Sequence, residues 1–278
     1  MWTVPRSLES GPKKEENTRW QVQRVFHFYA QSGRKKKYLL ILEYEGTAYH
    51  GWQVQKNGLA IQEVVEKALS RITNTKTTIL SSGRTDAGVH AEAMPAHFVT
   101  ESKMKSSEFQ LALNSLLPHD ITVREVRRVK MAFNARDSAK RKLYRYTILN
   151  RDYPSALNFR RSWFIPHELD IPAMRRAAKY LQGEHDYTSF RAGNCNAKSP
   201  VRTMDRVEIF KQDGFLQFEF EGKGFLRHMV RNFVGTLVYV GKKKFPAKQV
   251  KTILAVRNRR YAGPTAPPEG LCLVKVWY

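Results

Sequence analysis

The chain has 278 residues, and 48 lysines and arginines against 25 acids leave a formal charge of +23, with a pI near 10. Hydrophobic residues at 42% suffice for a real core and argue against wholesale disorder, and the length admits one large domain or two smaller ones. So large a basic excess points to a polyanionic partner, usually nucleic acid.

Cys195 and Cys272 stand outside any C-x-x-C pair, which argues against a disulfide framework or a cysteine zinc site and fits a reducing, cytoplasmic compartment. No apolar run approaches the roughly 20 residues that span a bilayer, so no membrane is expected. The first 36 residues run from "SGPKKEENTRW" to "RKKK". Their acids, Glu9, Glu15 and Glu16, argue against a mitochondrial presequence, and 1–36 reads as a flexible tail.

After Lys37 strand and helix signals alternate. "KYLLILEY" (37–44) reads as a buried strand and "EGTAYHGWQ" as a glycine-punctuated loop. Ile61, Val64, Val65, Ala68, Leu69 and Ile72 predict an amphipathic helix over 60–73. "TTILSS" (77–82) predicts a strand running into "SSGRTDAGVHAEAMPAHF" (81–98). Phe109, Ala112, Leu113 and Leu116 mark a second helix stopped by Pro118, and "ITVREVRRV" (121–129) another strand.

"KLYRYTIL" (142–149) is a strand with Tyr144, Tyr146 and Ile148 on one face. Met174, Ala177, Ala178 and Leu181 predict a helix closed by Gly183. "RVEIF" and "FLQFEFE" flank Asp213-Gly214, a strong hairpin signal. A long helix follows over about 225–240, then one opened by Pro246, then the strand "LCLVKVWY". The order predicts an α+β fold. Its two βαβ-like halves, of the ferredoxin or RRM kind, cover 37–139 and 140–278 and join through a largely antiparallel central sheet with helices packed on it. Neither a Rossmann G-x-G-x-x-G nor a P-loop is present.

In "SSGRTDAGVH", Arg84 and Asp86 stand two apart, flanked by Gly83 and Gly88. A carboxylate here can serve as general base, metal ligand or nucleophile. Its neighbours Arg84, His90, Glu92 and His97 are a poor ligand set for Mg²⁺ and a faint one for Zn²⁺. A Ser81, His90 and Asp86 triad has no nucleophile elbow behind it, and a glycosidase would need a second carboxylate. The plainest alternative is an aspartate capping a turn, with Arg84 as its ion-pair partner.

"GRTDAGVHA" resembles the central motif of the TruA family of tRNA pseudouridine synthases. "LEYEGTAYHGWQVQ", "IQEVVEKAL", "LNSLLPHDI", "FNARDSAKRKLYRYTI", "GEHDYTSFRA", "KSPVRT", "FLRHMVRNFVGTLVYVG" and "PPEGLCLVKV" follow in family order, from about Lys37 to Tyr278. The resemblance implies isomerisation of uridine to pseudouridine in tRNA, most often in the anticodon stem-loop at positions 38 to 40. It assigns Asp86 as the nucleophile, attacking either the sugar at C1′ or the uracil at C6, and Arg231 as its partner. Tyr144 is expected to stack on the target base, and Arg84 to enter the RNA and hold that base out. No redox change or external group is required, so no cofactor is implied. A homodimer with tRNA bridging its subunits is implied as well.

Plainer readings stand beside these. Arg231 suits a phosphate contact or the surface, Tyr144 the core, and Leu271 and Leu273 the core or an apolar floor. Lys140 and Arg141 of "KRK", and Lys242, Lys243 and Lys244, would grip phosphates together with "RKKK", "RR" (160–161) and "RNRR" (257–260). Any one cluster alone is a solvated face. The competing function is a catalytically silent RNA-binding or RNA-chaperone protein on the same fold, or a family variant acting on another RNA. The segment "AEAMPAHF" departs from the Gly-Gln pair that members typically show before "HF". Its Pro95 is expected only at a strand's start or edge.

Overall fold

The computed structural model describes residues 34–193, 195 and 197–278, so all but the last three residues of the 1–36 tail lie outside the described residues. In chain order come β1 (Lys36–Tyr44), α1 (Ile61–Thr73), β2 (Leu80–Ser81), β3 (His90–Thr100), α2 (Ser106–Leu116) and β4 (Ile121–Val129). Then follow β5 (Arg141–Leu149), β6 (Trp163–Phe164), α3 (Ile171–Lys179), β7 (Gly183–Asp186), β8 (Val201–Gln212), β9 (Phe215–Gly222), α4 (Met229–Gly241), α5 (Gln249–Val256) and β10 (Leu271–Trp277).

The strands form one sheet in the order β4-β1-β3-β10-β5-β9-β8-β7, antiparallel at every junction but β3–β10. The chain thus adopts the expected α+β fold. Two sets of four strands share an order: β4-β1-β3-β2 and β10-β5-β9-β8 each run fourth, first, third, second, as in a ferredoxin-like unit. Strand β2 is a remnant of two residues, and β10 of the other set pairs with β3 at His90 and Ala91.

The core lies on one face of this sheet. Tyr38, Leu40 and Leu42 of β1 join Met94, Ala96 and Phe98 of β3, while Tyr146 and Ile148 of β5 join Phe218 and Phe220 of β9. Phe109 of α2 packs on the first group and Phe233 of α4 on the second. The other face buries Leu39 and Leu143 and carries a charged network, with Arg145 and Arg206 both paired to Glu219 at 2.9 Å. Among the described residues no helix is long and apolar enough to cross a membrane.

Local chemistry explains most boundaries. Asp170 caps α3 by accepting the Ala173 N–H at 2.8 Å, and Asn74 ends α1 in the left-handed region. Asp213 and Gly214 sit at φ 50° and 78°, the pair of positive values a two-residue hairpin demands.

Four expectations fail for identifiable reasons. In "TTILSS" only Leu80 and Ser81 pair as a strand, because helix α1 captures the N–H groups ahead of them. Ile79 donates to Glu66 Oε1 and Thr77 to Ser70 Oγ, both at 2.9 Å. Helix α3 stops at Lys179 in a turn tightened by bonds from Tyr180 and Leu181 to the third residue back, so Gly183 opens β7 at φ 93° rather than capping the helix. The helix expected from about 225 starts at Met229, because His228 at φ 61° is left-handed. Pro95 stands mid-strand in β3, opposite Ile41. Its carbonyl accepts the Ser82 N–H, so the ring's missing N–H points to that same side, between the short pairings of β10 and β2. No ladder bond is lost there.

Candidate active site

Asp86 sits on the loop between β2 and β3, in a turn closed by Val89 N–H donating to its carbonyl at 3.1 Å. Gly88 takes φ 77° in that turn. Thr85 is buried against β1, its hydroxyl 2.8 Å from the Tyr44 hydroxyl. The "EGTAYHGWQ" loop lies alongside, with Trp52 N–H donating to the Thr85 carbonyl at 3.1 Å. A Cβ on Gly51 (φ 86°) would meet that carbonyl at 2.6 Å, so only glycine lets the two loops approach.

Across the cleft, the left-handed His228 turns the chain into α4 and aims the first turn of that helix at the aspartate. Arg231 Nη1 lies 3.2 Å from Asp86 Oδ2, while its Nε donates to the Ala266 carbonyl at 2.8 Å. His228 Nε2 stands 3.6 Å from the same Oδ2. Asp86 Oδ1 has no partner among the described residues. The carboxylate is 24% exposed and Arg231 13%, so the pair is sheltered yet open to a ligand. Burial pushes the His228 imidazole below the usual histidine range, with Arg231, Arg227 and Arg259 adding to it and Asp86 opposing.

Tyr144 is paired on β5 with Leu273 of β10 and Phe220 of β9. It is buried, and its ring meets Phe225 edge-on at 4.9 Å. Burial, then the nearby Asp86 charge, raises its phenol well above the ordinary value. Its hydroxyl makes no hydrogen bond among the described residues. Leu271 and Leu273 are buried beside it on β10.

The other residues singled out from the sequence scatter. Arg84 is exposed two residues before Asp86, and no ion pair joins the two. Lys140 is exposed. Arg141 pairs with Glu221 at 2.7 Å and lies over the Trp277 ring, on the face away from Tyr144. Lys242, Lys243 and Lys244 are exposed at the far end of α4. Of the remaining basic runs, Lys37 binds the Met131 and Phe133 carbonyls, Arg257 pairs with Asp186, and Arg259 with Asn232 and Thr265. His90 bridges Gly46 N–H and the Glu269 carbonyl, a structural station that removes it from any triad.

His228 and Phe225 were not anticipated as part of the site. In "HMVRN" the histidine stands three residues before Arg231, a spacing that brings side chains onto one side of a helix, and this was the available signal. Among the described residues no group of three or more His, Cys, Asp or Glu is placed to hold a metal ion. The arrangement offers a carboxylate with one oxygen held by Arg231 and neighboured by His228, the other without a partner among the described residues, and a buried tyrosine within reach of its charge. That suits covalent attack on a flat, electron-poor ring or the sugar attached to it.

A family profile described as tRNA pseudouridine synthase matches residues 40–136 and 177–278. The chain is similar to three proteins named tRNA pseudouridine synthase A. That of Acetivibrio thermocellus is 46% identical over 239 residues, 86% of this chain and 98% of that one. That of Geobacter sulfurreducens is 48% identical over 237 residues, 85% and 97% of the two chains. That of Ruminiclostridium cellulolyticum is 43% identical over 244 residues, 87% and 100%. A solved Cbf5-Nop10-Gar1 complex overlays 90% of this chain and 50% of that chain with a TM-score of 0.38 at 11% identity, which carries no further argument. Matched on both sides of the Asp86–Arg231 contact and over most of its length, this chain belongs to the tRNA pseudouridine synthase family.

Proposed function

We propose that the chain isomerises uridine to pseudouridine in tRNA, in the anticodon stem-loop at positions 38 to 40, with Asp86 as nucleophile. One observation carries the assignment: Arg231 and His228 both address Asp86 Oδ2, which leaves Oδ1 without a partner among the described residues, while the Asp86 charge reaches the Tyr144 phenol. The target base leaves its stack to reach that oxygen, and Tyr144 supplies a face for it. Arg84, exposed on the same loop, fills the gap in the RNA.

Asp86 attacks at C1′ or at C6. The C1′–N1 bond breaks, the uracil turns, C5 bonds to C1′, and the bond to Asp86 breaks to return the free carboxylate. The C5 proton leaves and N1 gains one, so the product is an isomer and electrons balance within the substrate. Arg231 holds the carboxylate in place, its own position fixed by the Ala266 carbonyl. Exposed Lys140 and Lys242 to Lys244 contact phosphates, which positions tRNA without reading its sequence. The enzyme works in the cytoplasm as a homodimer across which tRNA lies.

Incubation with unmodified tRNA, followed by pseudouridine-specific chemical mapping, tests the assignment. Modification at positions 38 to 40 is expected. Product elsewhere moves the target, and no product on any tRNA overturns the isomerase reading. A sedimentation mass of one chain would remove the dimer.

A further inference from the structure

Lys142 stands two residues before Tyr144 on β5, so both side chains leave the same face of the sheet. Its ammonium donates to the Ser82 carbonyl at 2.5 Å, and a Cβ on Gly83 would lie 3.0 Å from it. Ser82 is fully buried and rooted on β3, its N–H on the Pro95 carbonyl and its hydroxyl on Met94 Sδ. Arg84 and Asp86 follow on the same loop. Among the described residues, no other β5 side chain bonds to residues 82–86.

The position is an expensive one for a cation. No carboxylate pairs with Lys142 among the described residues, and its acceptor is a neutral carbonyl. Burial, followed by the Arg136 charge, pushes it down to about 8. A half-buried ammonium without a counter-charge adds little to stability, so its presence points to work other than holding the fold.

We propose that Lys142 is a positioning residue for the isomerisation, tying the Tyr144 strand to the root of the Asp86 loop and so setting the gap between ring and carboxylate. The proposal rests on the isomerase reading above. Charged and titratable neighbours are Arg136 and, at the chain's end, Tyr278, whose hydroxyl reaches Ser82 and donates to the Ala135 carbonyl. Arg141 and Glu221 pair on the opposite face. A charged donor bonds about twice as strongly as a neutral one, so the tie weakens as pH rises through about 8.

The test is single-turnover pseudouridine formation at saturating tRNA for wild type, K142M and K142R, with tRNA affinity against salt and Tm measured on each. K142M should lose about tenfold to a hundredfold in rate, the scale of an ångström-sized misplacement, with affinity and salt slope near wild type and Tm at or above it. The wild-type rate should fall between pH 7 and pH 9. K142M should be flat there, and K142R should recover part of the rate without the fall. A K142M rate equal to wild type overturns the proposal. So does a weaker affinity with a flatter salt slope at unchanged saturating rate, which would make Lys142 a phosphate contact. Rate losses in both variants that track Tm losses would make it structural only, and overturn it too. A wild-type chain that makes no pseudouridine overturns the isomerase reading itself, a result distinct from an active wild type beside an equally active K142M.

Discussion

Arg231 and Asp86 stand 145 residues apart in the chain and 3.2 Å apart in space. The contact joins the loop after β2 to the first turn of α4, and with it the two strand sets. Arg231 divides its guanidinium between Asp86 and the Ala266 carbonyl, so the carboxylate is addressed from an anchored base.

Replacing Asp86 by Asn keeps the shape and removes the nucleophile. Asp86→Asn should lose more than about a thousandfold in single-turnover rate, the scale seen when covalent groups are deleted, with tRNA affinity and Tm near wild type. Activity within tenfold of wild type would end the assignment.

Arg231→Lys tests the anchored fork. An ammonium lacks the planar, spaced donors that serve Asp86 and Ala266 together. The rate should drop while the salt dependence of tRNA binding stays as it was. A flatter salt slope at full rate would instead make Arg231 a phosphate contact.

Tyr144 separates ring from hydroxyl. Tyr144→Ala should be severely impaired, since it removes both the stacking face and the Phe225 contact. Tyr144→Phe keeps the ring, so its rate reports whether the hydroxyl relays a proton. A fully active Ala variant would return Tyr144 to the core.

His228 gives a sign to the acid side of the stability curve. Its folded-state value lies below the ordinary one near 6.5, so the unfolded chain binds the proton first as pH falls. Stability present above about pH 6.5 is therefore lost as pH drops through the folded value. His228→Asn tolerates the left-handed backbone and should show a smaller Tm loss between pH 7 and pH 5 than wild type. Equal losses in the two proteins would acquit His228.

The lysine cluster concerns grip. Lys242, Lys243 and Lys244 follow α4, roughly 16 Å along the helix from Arg231 at 1.5 Å per residue. Neutralising all three should weaken tRNA binding and flatten the plot of log K against log salt by up to about two to three units, at roughly 0.7 to 0.9 per phosphate. The loss should appear in KM rather than kcat. An unchanged slope would remove the cluster from the interface.

Residue spacing and turn chemistry were enough for β1, α1, β4, β10 and the Asp213-Gly214 hairpin, because each depends on neighbours within a few positions. The reading from sequence went astray where a backbone group found its partner on another element, as when α1 took the N–H groups of Thr77 and Ile79. The motif around Asp86 was readable through its resemblance to a known family, since spacing and glycines alone left a turn-capping aspartate open.

Partnership across the fold was not written that way. Lys140, Arg141 and Lys142 are adjacent in the chain, yet one is exposed, one pairs with Glu221 and one reaches Ser82. Strand alternation sends neighbours to opposite faces, and only the packing of helices decides which face becomes the cleft. His228 entered the site because a left-handed residue bends the chain into α4 just where β3 and β10 bring the two strand sets together. A sequence records spacing along one chain, whereas an ion pair depends on distance in space, which the sheet order sets.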